Sequence, residues 1–236
     1  MRISARIITS CEVNMIKAVI FDMFETLITH YDSPLYFCVH IARELGVPHA
    51  VFNETWKSAE TERMTGKLTL EELLKTVLEA NNAYSEERLH EITRKRLEAK
   101  EEVFRHIHKD IVPMLEELKR RGVLIGLVSN CYSEEVELIK SSVLYPYFDK
   151  ACLSYEEGCL KPDRRIFERC LSSLGVSGDE CIYIGDGGSS ELEAASSLSM
   201  KAFQAVWYLE KHGYVPTPRN KKFEVLHSPA DILGYI

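Results

Sequence analysis

The chain has no Cys-x-x-Cys pair, no basic block longer than Lys119-Arg120-Arg121, no internal repeat and no low-complexity tract. Its seven cysteines, at 11, 38, 131, 152, 159, 170 and 181, are odd in number and scattered, which reads as reduced thiols in a cytoplasmic protein and leaves zinc ligation unsupported. A net charge of -7 without a basic patch argues against a nucleic-acid partner. The three cations at 119–121 suit the negative end of a helix instead. The first residues, MRISARIITSCEVNM, offer only Ile7-Ile8 as an apolar pair, too little for a signal-peptide core or a membrane span. Residues 1–16 are expected to be an N-terminal extension, with the folded domain beginning near Met15. No feature of the sequence fixes an oligomeric state.

What the chain does contain is enough apolar material, 45% of 236 residues, for one substantial core and an inserted subdomain. Residues 17–21 form a short β-rich run, apolar on both faces, as a central parallel strand requires, and Asp22 stands at its carboxyl end. Two similar runs follow, "VLIGLVSN" at 123–130 and "CIYIGDGG" at 181–188, each ending in polar residues. Ligands of an open parallel sheet gather at the carboxyl ends of its strands, so Asp22, Ser129-Asn130 and Asp186 are expected to converge. Pro113 and Gly122, then Pro162 and Gly175, punctuate the intervening helices.

Between about 31 and 108 the pattern becomes helix after helix. Ser33-Pro34 opens one helix and Gly46 closes it; Thr69 and Glu72 form a capping box ahead of Leu73, Leu74, Val77 and Leu78; Ser85 begins a helix carrying Leu89, Ile92 and Val103. The tail "FEVLHSPADILGYI" reads as a last strand and a short helix. The expected architecture is α/β, a Rossmann-like core with a central parallel sheet over 17–30 and 109–236, plus an inserted all-helical cap subdomain over 31–108.

Taken alone, Asp22 is a strand-end acid of a kind that more often caps or turns the chain. Four features in order change that reading: FDxxxTL at 21–27, the strand ending in Ser129-Asn130, Lys161-Pro162, and Gly185-Asp186 with an acid close behind. In this the chain resembles the haloacid dehalogenase-like superfamily, mostly phosphatases, in the subgroup with a helical cap between the first and second motifs. The resemblance implies Asp22 as a nucleophile that forms a covalent ester and divides one hard displacement into two easier ones. It implies Thr26 as a brace of the nucleophile loop, Ser129 with Asn130 as phosphoryl contacts, and Lys161 as the positive charge that offsets repulsion between Asp22 and an anionic substrate. Ordinary strand-end and surface roles for Ser129 and Lys161 stand as alternatives.

The family's second acid usually follows the first by four residues. Here Ser190 holds that place and Glu191 comes one later, as if one residue had been inserted in the Gly187-Gly188 turn; the alternative is a first-turn helix acid. Asp22, Asp186, Glu191 and the Phe24 backbone carbonyl would then hold Mg²⁺, an oxygen-seeking cation suited to a site beside a phosphate.

Phe24 stands where family phosphatases carry their acid/base aspartate, and dehalogenases of the same family carry an aromatic residue there. The resemblance therefore implies a Mg²⁺-dependent phosphohydrolase of small phosphorylated metabolites that favours good leaving groups, with a metal-independent 2-haloacid dehalogenase and a phosphate-binding or regulatory protein as alternatives. Glu25, where the family commonly has glycine, is a candidate to replace the lost acid. Arg63 and Lys67, in the loop "ERMTGKLT", are candidates to meet an anionic substrate, Phe24 to contact it, and His30 and Tyr31 to line the entrance. His106 and His108 are read as part of the connection back to the core rather than as metal ligands.

Overall fold

The computed structural model of the chain describes residues 15–212 and 217–236. The expected N-terminal extension lies outside the described residues except for its last two positions. Strand β1 (Ala18–Phe21) is followed by helices α1 (Cys38–Leu45), α2 (His49–Ser58), α3 (Glu60–Met64), α4 (Leu70–Ala80) and α5 (Glu86–Val103). The chain then alternates through α6 (Ile111–Arg120), β2 (Leu124–Ser129), α7 (Ser133–Ser141), β3 (Lys150–Leu153), α8 (Ser154–Glu157), α9 (Arg164–Leu174), β4 (Cys181–Gly185), α10 (Glu191–Ser197), β5 (Lys201–Ala205) and β6 (Glu224–Leu226).

The six strands form one sheet in the order β3-β2-β1-β4-β5-β6, every pairing parallel. β1 lies between β2 and β4 and is buried along its whole length, which is why its sequence is uninterruptedly apolar. Its side chains alternate between two cores. Val19 and Phe21 join Ile111, Leu115 and Leu118 of α6, whereas Ala18 and Ile20 join Ile166, Phe167 and Cys170 of α9. The strand order departs in both directions from β1, so the crevice of the sheet opens beside the carboxyl end of that strand.

The helices between β1 and β2 have an apolar cluster of their own, built on Ile41, Ala42, Phe52, Leu73, Leu74, Val77, Leu78 and Ile92. Their boundaries follow local chemistry. Gly46 ends α1 at φ 67° in the left-handed region. Thr69 and Glu72 cap α4 reciprocally, and the Ser85 hydroxyl accepts from the Arg88 amide at the start of α5. α1 itself starts at Cys38, later than Ser33-Pro34 suggested.

α5 buries one stripe, Ile92, Arg96, Lys100 and Val103, at near-i,i+4 spacing. Ile92 at one end serves the helical cluster and Val103 at the other joins the core of the sheet. The charged middle meets the first turn of α7, where Lys100 pairs with Glu135, while Arg96 and Arg63 pair with Glu134 at 3.4 and 2.9 Å. No helix among the described residues is long and apolar enough to cross a membrane. The six cysteines among those residues are all free.

Candidate active site

β1 delivers Asp22 to the carboxyl edge of the sheet, and the Asp22 amide continues the ladder by donating to the Ile184 carbonyl of β4 at 2.9 Å. Lys161 Nζ lies 2.5 Å from Asp22 Oδ1 and 2.5 Å from Glu191 Oε2, with all three side chains nearly removed from solvent. Glu191 also accepts from the Tyr183 hydroxyl at 2.8 Å and from the Gly187 amide at 3.1 Å. This seat requires Gly185: a Cβ there would come within 2.0 Å of Glu191 Oε1.

The turn between Asp186 and Glu191 runs through left-handed backbone, with φ of 95° at Gly187, 52° at Ser189 and 50° at Ser190. Glu191 consequently reaches the site rather than only opening α10. Asp186, 6% exposed, accepts from the Gly188 amide at 2.9 Å and the Thr217 hydroxyl at 2.7 Å. Gln204 fixes the Asp186 carbonyl at 2.8 Å. Thr217, Gln204 and Tyr183 are supporting residues that the motif pattern did not single out.

Asp22, Asp186 and Glu191 each present a carboxylate oxygen within 4.8 Å of the others. Burial is the largest influence on all three and raises their affinity for protons. Asp22 is pushed up to about 7, Lys161 pulling it down and Glu191 pushing it further up. Asp186 and Glu191 are likewise raised. Burial alone would lower Lys161, but Asp22 and Glu191 outweigh it and hold the ammonium charged. Three buried carboxylates facing one ammonium leave an excess of negative charge, and the donors are all oxygen. That set fits a hard divalent cation such as Mg²⁺.

Ser129 is fully buried at the end of β2, its hydroxyl 3.3 Å from the Asn130 carbonyl. Asn130 clamps the chain that carries the lysine: its Oδ1 accepts from the Lys161 amide at 2.7 Å, and its Nδ2 donates to the Lys161 carbonyl at 3.3 Å. The Thr26 hydroxyl is buried without a hydrogen-bond partner, contrary to the expected side-chain brace. The loop is held instead through the Thr26 carbonyl, which accepts from Trp207 Nε1 at 2.9 Å.

Phe24 stacks on His30 with ring centroids 4.8 Å apart, and Lys100 Nζ lies 5.4 Å from the Phe24 ring centre. Glu25, at φ 58°, is tied to His30 Nδ1 at 2.9 Å, to the His30 amide at 3.1 Å and to the Thr29 hydroxyl. It is therefore engaged with the following turn rather than replacing the acid lost at position 24. His30 Nε2 meets Lys100 Nζ at 2.7 Å. Burial first, then the Lys100 charge, hold His30 well below its usual value, so its neutral ring accepts from Lys100 and donates to Glu25.

A cavity of about 780 Å³ opens beside this loop, lined by Phe24, His30, Phe37, Trp56, Tyr132 and Asn130 among others. Arg63 and Lys67 do not line it. Arg63 is 1% exposed, its guanidinium between the Trp56 and Tyr132 rings at 4.2 and 4.1 Å, so it is a buried joint rather than a substrate-facing cation. Lys67 is exposed. The Gly66 turn packs where a Cβ would meet the Tyr155 carbonyl at 2.4 Å, so the loop is docked on α8. Tyr31 does not line the cavity. His106 pairs with Glu102, and the His108 ring packs edge-on against Tyr208, consistent with roles in the connection.

Comparison with known proteins places this geometry. The human N-acylneuraminate-9-phosphatase is 29% identical over 127 residues, 52% of this chain and 50% of that protein. The chain spans about half the length of the curated relatives it matches, or slightly less. A HAD family enzyme from Bacteroides thetaiotaomicron, in complex with magnesium and inorganic phosphate, superposes at TM-score 0.63 with 19% identity, covering 89% of this chain and 100% of that one. A crystallised dehalogenase does so at 0.62 with 18% identity, over 95% and 98%, so the two share the fold with this chain. The family model for haloacid dehalogenase-like hydrolases matches residues 16–198, from the strand that carries Asp22 to the helix that carries Glu191. On that match and on the convergence of Asp22, Lys161, Asp186 and Glu191, the chain belongs to the haloacid dehalogenase-like hydrolases.

Proposed function

We propose that the protein is a Mg²⁺-dependent phosphohydrolase acting on a small phosphorylated metabolite, with residues 31–108 forming a cap over the site. The observation that carries this reading is the Asp186–Glu191 acid pair beside the Asp22–Lys161 ion pair, because a site that only expels halide from an uncharged carbon has no need of extra buried negative charge. The magnesium and phosphate complex of the Bacteroides relative and the phosphatase name of the human relative support the same reading.

In this mechanism an Asp22 carboxylate oxygen attacks phosphorus, forming the aspartyl phosphate as the bond from phosphorus to the leaving oxygen breaks. Lys161 stays charged and lowers the repulsion as the dianion approaches. Asn130 keeps Lys161 in register, and Ser129 stands at the strand end, where a phosphoryl oxygen would be received. Water then attacks phosphorus and regenerates Asp22. Asp22 and Asp186, with the Phe24 carbonyl, would hold the cation, and Glu191 both completes the acid cluster and seats Lys161. Bound Mg²⁺ supplies charge neutralisation for the phosphoryl oxygens.

Phe24 favours a second reading, the metal-independent 2-haloacid dehalogenase, since a departing halide needs no proton. Purified protein assayed on phosphate esters and on 2-haloacids, with and without Mg²⁺, separates the two. Phosphate release abolished by chelation supports the phosphohydrolase; chelator-resistant halide release without phosphate release transfers the assignment.

A further inference from the structure

The cavity wall and position 24 point to the same kind of leaving group. Phe24, Phe37, Trp56 and Tyr132 supply ring surface around the cavity, and the two last are fixed by the Arg63 guanidinium between them. The polar groups of the wall beside Phe24 are engaged within the protein, while His49, Asn53 and Lys57 line the far side. Arg96 pairs with Glu134 and donates to the Tyr36 carbonyl at 2.6 Å; Lys100 is shared by Glu135 and His30; Asn130 holds Lys161. A sugar seated against Phe24 would find few free partners for its hydroxyls on that side, and each unmatched hydroxyl would be desolvated without return.

On the family resemblance, position 24 is where the group that protonates the leaving oxygen would stand; Phe24 has no proton to give, and Glu25 is tied to His30 and Thr29. Bond cleavage must therefore succeed without a proton. A phenol ionises near pH 10, whereas water, a guide to alkanols, ionises at about 15.7. An aryl oxide, like a carboxylate, is thus an oxygen leaving group that this site can release unaided, and the ring-lined wall favours the aryl one.

Resting on the phosphohydrolase reading, we infer that the natural substrate is an aryl phosphate, its ring seated in the cavity between Phe24, Phe37, Trp56 and Tyr132. Asp22 Oδ bonds to phosphorus, the phosphorus–oxygen bond to the ring breaks, and the electron pair leaves on the aryl oxide, which takes its proton from solvent. Water then cleaves the aspartyl phosphate, giving a phenol and inorganic phosphate overall.

Two measurements test this separately from the reading beneath it. In the first, phenylphosphonate and methylphosphonate, which cannot be hydrolysed at phosphorus–oxygen ester bonds and differ by the ring, are titrated against the full chain in Mg²⁺. The phenyl compound is expected to bind at least about tenfold more tightly, and Phe37→Ala to remove most of that difference. Equal affinities overturn the ring pocket. In the second, kcat/KM is compared for phenyl phosphate and a hexose phosphate. The expected preference is about 10²-fold or more, the usual worth of general-acid help. Equal or better turnover of the hexose phosphate overturns the aryl assignment while leaving the phosphohydrolase intact, and absence of turnover on every ester overturns both.

Discussion

Arg63 of α3 and Glu134 of α7 meet at 2.9 Å with side chains 1% and 2% exposed, joining the helical segment to the sheet domain through a buried ion pair. Arg96 shares the same Glu134 oxygen at 3.4 Å, so one carboxylate holds two guanidiniums. Removing one partner of a buried pair strands the other, at about 3 to 5 kcal/mol. Glu134→Gln strands two cations and is expected to cost that much in denaturant unfolding, whereas Arg63→Met leaves Glu134 with Arg96 and costs less. The reverse order would show that the junction is held by something else.

The pH dependence of that junction has a definite sign. Burial alone would raise the Glu134 carboxyl, but Arg63 and Arg96 together outweigh it and hold it below its ordinary value. A depressed carboxylate stabilises the fold above the unfolded pKa of about 4.3 and loses that contribution as pH falls through the folded value. The stability gap between the native protein and Glu134→Gln is expected to shrink below about pH 4. A gap independent of pH would show that the charge of Glu134 is not what matters.

The acid cluster has the opposite sign. Asp22, pushed up to about 7, and the raised Asp186 and Glu191 keep protons in the folded state that the unfolded chain has lost, so their contribution to stability falls as pH rises from about 4 through 7. A bound divalent cation removes that penalty. Mg²⁺ is expected to raise the melting temperature more at pH 8 than at pH 5, and Asp186→Asn to erase most of the difference. An equal shift at both pH values would place magnesium binding elsewhere.

Asp22→Asn is expected to abolish phosphate release while keeping or raising the melting temperature, since the amide has the same shape and removes one charge from the crowded cluster. Lys161 retains Glu191 as its partner in that variant. Substantial turnover by the folded mutant would remove Asp22 from the mechanism.

The strand ends were legible because central parallel strands are apolar on both faces and stop at polar residues, as β1, β2 and β4 do. β3 and β5 are not legible for the converse reason: "KACL" opens on a charged Lys150, and "KAFQA" carries Lys201 and Gln204, the latter fully buried to hold the Asp186 carbonyl. The reach of Glu191 to the site is readable, since Gly187 marks a turn able to take left-handed backbone. Arg96 and Lys100 were not, because a charged residue on a helix reads as solvent-facing until its partners on another element are known, and Glu134 and Glu135 lie 38 and 35 positions further along the chain. Arg63 reads as a loop cation on the same ground, although it is buried.

Phe24 leaves the two halves of the reaction unequally served, and that imbalance is measurable. An aryl oxide needs no proton to depart, so formation of the aspartyl phosphate proceeds, but the water that must cleave it has no carboxylate at position 24 to accept its proton. The first turnover of a chromogenic aryl phosphate is therefore expected as a burst approaching one product per protein molecule, followed by a slower steady rate. Installing the missing group, Phe24→Asp, is expected to shrink the burst and raise the steady rate, and to raise kcat/KM for an alkyl phosphate more than for an aryl one, within the 10² to 10⁴ worth of acid–base help. The substitution also gives up the Phe24–His30 stack and places a carboxylate near Lys100, so the two proteins are to be compared at matched folded fraction. Lys100 would favour the ionised form of the new acid, so the alkyl ester is expected to gain most at low pH, where that acid carries its proton. No burst in the native protein, together with equal kcat/KM on the two esters, would mean that a residue other than position 24 moves the proton, and that Phe24 only shapes the wall.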